Sequence, residues 1–304
     1  MREEVESATS ELLEGKGRKR DEAIHEARKS IKKLRGALRL LQPELGAIYR
    51  DQNTKLSETG RQLSEIRDAE AIIEVFNGVV EKYRAQLKPE AVRAVLGGLN
   101  KNKQDTLKRL NVDAVVRKAV SGLRSTAKGV DTWPLKKDGF EALAPGLRKR
   151  YKSGRKAMTA VMRQPTPEHY HEWRKRVKDH WYHVRLLEDM WTDILKAREG
   201  ALKDLETWLG DDHNLVVLRE KLQADPDLYG GNENVHVFTG LMDEYSRELR
   251  EKSLVLGSKV YEQKSKLLVR DMGKLWEAWQ NESAVKKTVG KQSPAKTAAK
   301  TAAA

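Results

Sequence analysis

One stretch, residues 24–41, constrains the fold most because it has two adjoining faces of opposite character. Its apolar residues recur at helical spacing from Ile24 to Leu41. Basic residues recur with the same period on the neighbouring face, which predicts a helix with a line of cations beside its buried side. At the standard helical rise this line is roughly 21 Å long, a length that suits an extended anion. Its members are His25, Arg28, Lys29, Lys32, Arg35 and Arg39.

The same pattern recurs without a gap 146 residues later, where His171 aligns with His25. The basic residues follow in register, except that Trp181 takes the place of Arg35. Two copies of one unit predict two helical halves that pack about a pseudo-twofold axis, so that both lines of cations face one space. The second line consists of His171, Arg174, Lys175, Lys178 and Arg185.

Composition limits the fold class and the partners. The chain has 59 Lys and Arg against 45 Asp and Glu, a net charge of +14, which favours a polyanion: nucleic acid, an acidic membrane or polyphosphate. The absence of cysteine excludes disulfides and thiolate metal sites. No signal peptide is recognisable, and no window reaches the ~18 apolar residues of a membrane helix, so we predict a cytoplasmic protein without a membrane partner. Few β-branched runs and three phenylalanines argue against a sheet.

The histidine motifs, HEARK from His25 and HEWRK from His171, resemble those of the CHAD family, a domain of paired helical bundles. Residues 63–70 and 209–215 are similar to the family's turn into the third helix of each half, and 147–158 to its basic helix before the second histidine. The resemblance implies an all-α fold with two pseudo-twofold-related four-helix-bundle halves. These halves would enclose a basic cavity that binds inorganic polyphosphate, and the protein would associate with polyphosphate granules. Arg150 and Arg155 of the basic helix join the two lines as candidate contacts.

Binding without catalysis is the function that the residues themselves favour. Like charges at helical spacing repel, and almost no acid interleaves on the lines, which indicates a counter-anion. No Walker loop, kinase-type glycine loop or carboxylate cluster accompanies them, so we predict no enzyme and no cofactor. The histidines either donate to phosphate or orient their helices, and the sequence leaves both roles open.

Two other ligands compete with polyphosphate. Nucleic acid is the stronger competitor, because seven tryptophans and eight tyrosines could stack on bases if they are not core residues. A metal ion is the weaker one, because no carboxylate or cysteine completes a recognisable ligand pattern. The histidines in question are His169, His171, His180 and His183.

The predicted organisation is an N-terminal extension (1–20), a domain (21–281) with halves 21–130 and 138–281, and a Lys/Ala-rich disordered tail (282–304). The oligomeric state is left open. Inside the domain, aspartates and a glycine pair are expected to break helices, and a Gly- and Pro-containing connector joins the halves. The predicted positions are caps at Asp68 and Asp211-Asp212, a break at Gly97-Gly98, a second histidine helix over 168–197 and a connector over 125–139.

Overall fold

The computed structural model describes residues 1–15 and 17–291. Within these residues every regular element is helical and none is a strand, which confirms the all-α prediction. The α-helices are α1 (Arg2–Glu14), α2 (Arg20–Leu40), α3 (Gln42–Lys82), α4 (Pro89–Arg109), α5 (Val112–Ala127), α6 (Gly139–Arg163), α7 (Pro167–Leu186), α8 (Thr192–Ala224), α9 (Asn232–Val260) and α10 (Ser265–Lys291).

The histidine motifs lie on α2 and α7, and local chemistry sets where these helices begin and end. The side chain of Thr166 accepts a hydrogen bond from the His169 amide at 3.3 Å, and Pro167 occupies the first turn of α7. α2 ends at Leu40, and Pro43 stands in the first turn of α3, where its missing N–H has no helical partner to lose. Both histidine motifs therefore lie entirely within regular helix.

The repeat extends to α1. A shift of 146 residues moves α1 (Arg2–Glu14) into the span of α6, just as it moves α2 onto α7. α1 buries Val5, Ala8 and Leu12 in one core with α2. Residues 2–14, which the sequence placed in an N-terminal extension, thus pack as the first helix of the first repeat.

Three hydrophobic cores organise the helices. The first is formed by α1, α2, α5 and the N-terminal part of α3, and the second by α6, α7, α10, the N-terminal part of α8 and the end of α9. The third joins the C-terminal parts of α3 and α8 to α4 and α9, where the Phe76 and Phe238 rings lie 5.1 Å apart. The long helices α3 and α8 therefore each belong to two cores and connect the repeats.

Two predicted helix starts are wrong, because α3 runs through Asp68 and α8 runs through Asp211-Asp212. These carboxylates face neighbouring helices and do not cap their own backbone. Asp68 is 3.5 Å from Arg28, and the buried Asp212 accepts from the Arg250 Nε at 2.8 Å. Asp68 and Asp212 thus mark contacts between helices.

The predicted break at Gly97-Gly98 is also wrong. α4 continues through these two residues, and Gly98 lets the chain after α8 pass very close: a β-carbon on Gly98 would stand 2.4 Å from the Leu228 carbonyl oxygen. Glycine here permits a close approach and is compatible with the helix.

The second histidine helix is shorter than predicted, because α7 ends at Leu186 and not at residue 197. Leu187 and Met190 of the following turn are buried and continue the apolar period across the break, so the sequence pattern does not reveal where the helix ends.

The connector between the halves and the C-terminal tail were also predicted from the sequence. Residues 128–138 contain a short 3₁₀ helix, Val130–Thr132, and lead from α5 to α6 as predicted. α10 extends to Lys291, so the first residues of the predicted tail, 282–291, are helical. The rest of that predicted disordered segment, 292–304, lies outside the described residues.

α2 and α7 cross at equivalent positions of the two repeats. Gly36 and Tyr182 are 146 residues apart in sequence, and a β-carbon on Gly36 would lie 2.8 Å from the Tyr182 β-carbon. The Nε2 of the buried His183 donates to the Gly36 carbonyl at 3.2 Å, which fixes α7 against α2. This crossing brings the two cationic lines next to each other.

Candidate polyanion-binding site

Cations of α2 and α7 meet beside the helix crossing. Lys32 of α2 interacts electrostatically with Lys178 of α7, and with one arginine from each helix. These four cations form two equivalent pairs of the repeat, and a carboxylate of α8 lies among them. We call the group the central cluster: Arg28, Lys32, Arg174, Lys178 and Glu206.

Burial and like charge both act on the amines of the central cluster. Burial is the larger cause that lowers the pKa of Lys32 to about 7, and the charges of Lys178 and Arg28 lower it further. Burial likewise lowers the pKa of Lys178, although the nearby Glu206 opposes that shift. Desolvation and the neighbouring cations therefore both disfavour the protonated form of these two amines.

Glu206 is the carboxylate at the centre of this cluster. Its Oε1 lies 2.7 Å from the Lys178 Nζ and 3.2 Å from the Arg174 Nη2, and its side chain is 13% exposed. Burial alone would raise the pKa of Glu206, but Lys178 and Arg174 together lower it, so it is ionised. Two further carboxylates stand at the rim: Asp68, 65% exposed and 3.5 Å from Arg28, and Asp211, whose pKa burial raises to about 6.

A second group of cations lies where the end of α2 and the middle of α6 face α7. Asp179 is buried, and its carboxylate is 3.0 Å from the Arg39 Nη1 and 3.7 Å from Nη1 of both Arg150 and Arg176. We call these four residues the Asp179 cluster. Arg35 adjoins it: its Nε donates to the Asn53 Oδ1 at 3.2 Å, and burial, with the charge of Arg39, lowers its pKa to about 10.

The two motif histidines have different surroundings. His25 is exposed near the start of α2, whereas the His171 ring stacks on His213 of α8 with 4.0 Å between ring centroids. Burial, followed by the charges of Lys175 and Arg174, lowers the pKa of His171. Burial and the neighbouring cations thus both favour the neutral form of His171.

The metal alternative finds no matching geometry among the described residues, in which no group of three or more His, Cys, Asp or Glu could hold an ion. His180 and His183 are buried, and burial lowers the pKa of His183 to about 3. His169 lies apart, with its Nδ1 2.7 Å from the Gln164 carbonyl. The four histidines therefore lie along α7 without forming a ligand set for a metal ion among the described residues.

Several predicted contacts lie outside both clusters. Lys29 and Lys175 are exposed and pair within their own helices with Glu26 and Glu172, so acids do interleave at these two positions. Arg155 lies near Tyr151. Burial raises the pKa of the Tyr151 phenol, and the charge of Arg155 opposes this shift without cancelling it. Arg185 stands over the Trp181 ring at 5.3 Å and reaches Glu199 at 3.9 Å.

Trp181 occupies the position of Arg35 in the second repeat, but it does not replace the guanidinium chemically. Its indole Nε1 donates to the Glu199 Oε1 at 2.6 Å, and its ring packs on Tyr182 and the second core. The two repeats therefore contribute unequally to the cationic surface, as this departure predicts.

Glu206 and Asp179, the acids that neutralise part of the two lines of cations, were not predicted from the sequence. A signal for Asp179 exists in the repeat itself, because Asp179 stands at the position of Lys33, and Arg150 at the position of Glu4. Lys33 and Glu4 also pair, at 3.1 Å, so the same ion pair occurs in both repeats with its charges exchanged. Aligning α1 with α6 reveals this exchange.

Fold and site together define an all-helical protein in which equivalent cations of two sequence repeats converge. The chain belongs to the CHAD domain family, whose model matches residues 4–223, from α1 to the end of α8. This family is associated with polyphosphate binding. Neither the curated proteins nor the solved structures gave a match to the chain. In the part of the chain that the structure describes, no helix has the length and apolar character needed to cross a membrane.

Proposed function

We propose that this protein binds inorganic polyphosphate between α2 and α7, in a basic cavity enclosed by two pseudo-twofold-related halves. The observation that carries the proposal is the convergence of two equivalent cation pairs, Arg28 with Lys32 and Arg174 with Lys178. Like charges that are held close together raise the free energy of the unliganded protein, and a bound polyanion relieves that repulsion. Burial, together with the charges of Lys178 and Arg28, lowers the pKa of Lys32 to about 7, and a bound polyanion would favour the charged amine.

Donors suited to phosphate are available beside these pairs. The Arg174 Nε and the His171 Nδ1 are buried and have no hydrogen-bond partner among the described residues. An arginine can hold two phosphate oxygens with its planar fork, and a neutral imidazole can donate one further hydrogen bond. Gly210 makes room for this arrangement, since a β-carbon there would stand 3.1 Å from the Arg174 Nη2. Buried donors without partners support a ligand at this place.

The arginines of the Asp179 cluster, together with Arg35, continue the path along α2. Arg35 and Arg39 follow Lys32 at helical spacing, and Arg150 joins them from α6. A slim chain of phosphates could therefore contact the central cluster first and these guanidiniums next. An extended site of this kind distinguishes polyphosphate from a single phosphate group.

Competition at near-physiological salt tests the proposal. Labelled long-chain polyphosphate is displaced with unlabelled polyphosphate, duplex DNA, RNA or ATP, and polyphosphate is expected to win by orders of magnitude. Affinity should fall steeply with added salt, as it does for other polyanions whose counterions are released on binding. If DNA or RNA competes equally per charge, the cations form a general polyanion surface, and the nucleic-acid alternative replaces this proposal.

Aromatic packing favours polyphosphate over nucleic acid. Trp173 is fully buried, Trp181 donates to Glu199, and Trp276 and Trp279 pack against the second core. Stacking on bases needs exposed ring faces, and these four tryptophans have other partners. Trp191 is half-exposed, but it lies at the far end of α7, beyond both clusters.

The Lys32 amine is expected to make binding pH-dependent. A bound polyanion favours the charged amine and raises its pKa, so binding takes up a proton near neutral pH. Because the pKa in the free protein is about 7, affinity should be highest below that pH and should fall as the pH rises. The window from about pH 7 to pH 9 isolates the amines, since the pKa of His213 lies far lower, at about 4. Titration of affinity over this window measures the effect.

The matched control for this pH dependence is Lys32→Arg with Lys178→Arg. Burial lowers the pKa of both lysines, whereas arginine stays charged over the whole window. The double variant should bind with an affinity that is constant from about pH 7 to pH 9. A wild-type affinity that is equally constant would contradict a role for these amines.

We further propose that binding is non-catalytic and targets the protein to polyphosphate granules. The central cluster consists of four cations and one ion-paired carboxylate, a composition that suits holding a chain more than cleaving it. Polyphosphate recovered from the complex should keep its chain length on a gel. A fluorescent fusion should co-localise with granules, and diffuse fluorescence in granule-containing cells would contradict targeting.

A further inference from the structure

The two repeats differ at one position inside the central cluster. Glu206 of α8 contacts Arg174 and Lys178, whereas the residue 146 positions earlier, on α3, is Gly60. The cations themselves are the same in both repeats. The second repeat thus carries a carboxylate at a position where the first has no side chain, and the acid near the cations of the first repeat is Asp68, at a different position.

The carboxylate occupies donors that a ligand would use. Its Oε1 accepts from the Lys178 Nζ at 2.7 Å and lies 3.2 Å from the Arg174 Nη2, the contacts that a phosphate oxygen would make. The group is ionised and mostly buried, so its charge is weakly screened by water. A polyanion that enters the cluster must either displace Glu206 from these donors or tolerate its negative charge.

We propose that Glu206 is an internal substitute for a ligand phosphate: it keeps the unliganded site folded and limits the affinity for polyphosphate. This inference rests on the proposed function and assigns the limit to one residue. It also makes the site asymmetric, because Glu206 contacts Arg174 and Lys178 of the second repeat directly. A limited affinity lets a bound chain leave, whereas a site with uncompensated cations would retain it.

The first test is Glu206→Gln, with Asp204→Asn as its matched control. Both substitutions remove one negative charge from α8, but Asp204 is exposed and has no ion pair among the described residues. Glu206→Gln should tighten polyphosphate binding by about tenfold, and Asp204→Asn by no more than about twofold. Affinity that stays within twofold, or weakens, would overturn the proposal, because Glu206 would then only orient the two cations.

Thermal unfolding separates this role from a purely structural one. Without ligand, Glu206→Gln should melt at a lower temperature than wild type, since buried cations lose their counter-charge. With saturating polyphosphate its gain in melting temperature should exceed that of wild type. A structural role alone predicts the first change without the second.

Gly60 allows the converse experiment, which stays informative if Glu206→Gln does not fold. A β-carbon on Gly60 would stand 3.4 Å from the Ile31 Cγ2, an ordinary packing distance, so the backbone at this position accepts a β-carbon. Gly60→Glu should weaken polyphosphate binding by about tenfold relative to the neutral, isosteric Gly60→Gln. Equal affinity of these two variants would contradict the proposal. If wild type itself does not bind polyphosphate, the proposed function fails, and that outcome is distinct from a failure of the Glu206 inference alone.

Discussion

Replacing Arg28 and Arg174 together by glutamine is expected to weaken polyphosphate binding by about a hundredfold or more. Each guanidinium supplies a charge-assisted contact of about 1.5–3 kcal/mol, and two such contacts together exceed a factor of one hundred. Glutamine is preferred to glutamate because Arg174 is 3.2 Å from Glu206, where a second carboxylate would add repulsion unrelated to the ligand. Affinity is measured at fixed salt, and the circular dichroism of the variant should match that of wild type.

The matched control removes the neighbouring cations, Lys29 and Lys175. Each follows one of the two arginines by one residue on the same helix, and both double variants remove two positive charges. Their side chains are 51% and 52% exposed and pair with Glu26 and Glu172, so their replacement by glutamine should change affinity by no more than about threefold. Equal losses in the two double variants would show that binding follows net charge and would refute a site between α2 and α7.

This pair of variants also shows how far the sequence could predict the site. Periodicity placed Arg28 and Lys29 on one line, because adjacent residues on a helix differ by about 100° and a line of cations tolerates that width. Packing separates them: Arg28 is partly buried and close enough to Lys178 of α7 to lower its pKa, whereas Lys29 remains at the surface. The repeat predicts which helices converge, but the direction of each side chain depends on the crossing at Gly36 and Tyr182.

The fold was predictable to a similar depth. Amphipathic periodicity and the repeat give the all-α class and the equivalence of α2 with α7. Helix ends were the weaker part, since Asp68 and Asp212 have good capping chemistry but use their carboxylates for ion pairs with other helices. A side chain cannot do both, and only the tertiary partner decides between them. For the same reason Glu206 and Asp179, which act across helices, escaped a search for acids along each line.

Replacing Asp179 by asparagine is expected to destabilise the fold by about 3–5 kcal/mol in the absence of ligand, because a buried ion pair loses one partner. Its side chain is 6% exposed and serves three guanidiniums, the nearest being the Arg39 Nη1 at 3.0 Å. Asparagine keeps the shape but supplies no charge, so the arginines would face each other without an anion. The free energy of unfolding, measured in urea, should fall by a large fraction of the ~5–15 kcal/mol that is typical of a folded domain.

The repeat supplies the control for this variant. Lys33 stands at the position of Asp179, and its pair with Glu4 has side chains that are 41% and 27% exposed, so Lys33→Met should cost no more than about 1 kcal/mol. Similar losses of stability in the two variants would show that burial is not what makes the Asp179 cluster important.

A second measurement, with polyphosphate present, tests whether the Asp179 cluster also contacts the ligand. If Arg35, Arg39 and Arg150 lie on the polyphosphate path, saturating polyphosphate should restore more stability to Asp179→Asn than it adds to wild type, because phosphate replaces the missing carboxylate. Equal stabilisation would limit the path to the central cluster and would make the Asp179 cluster a structural ion-pair network.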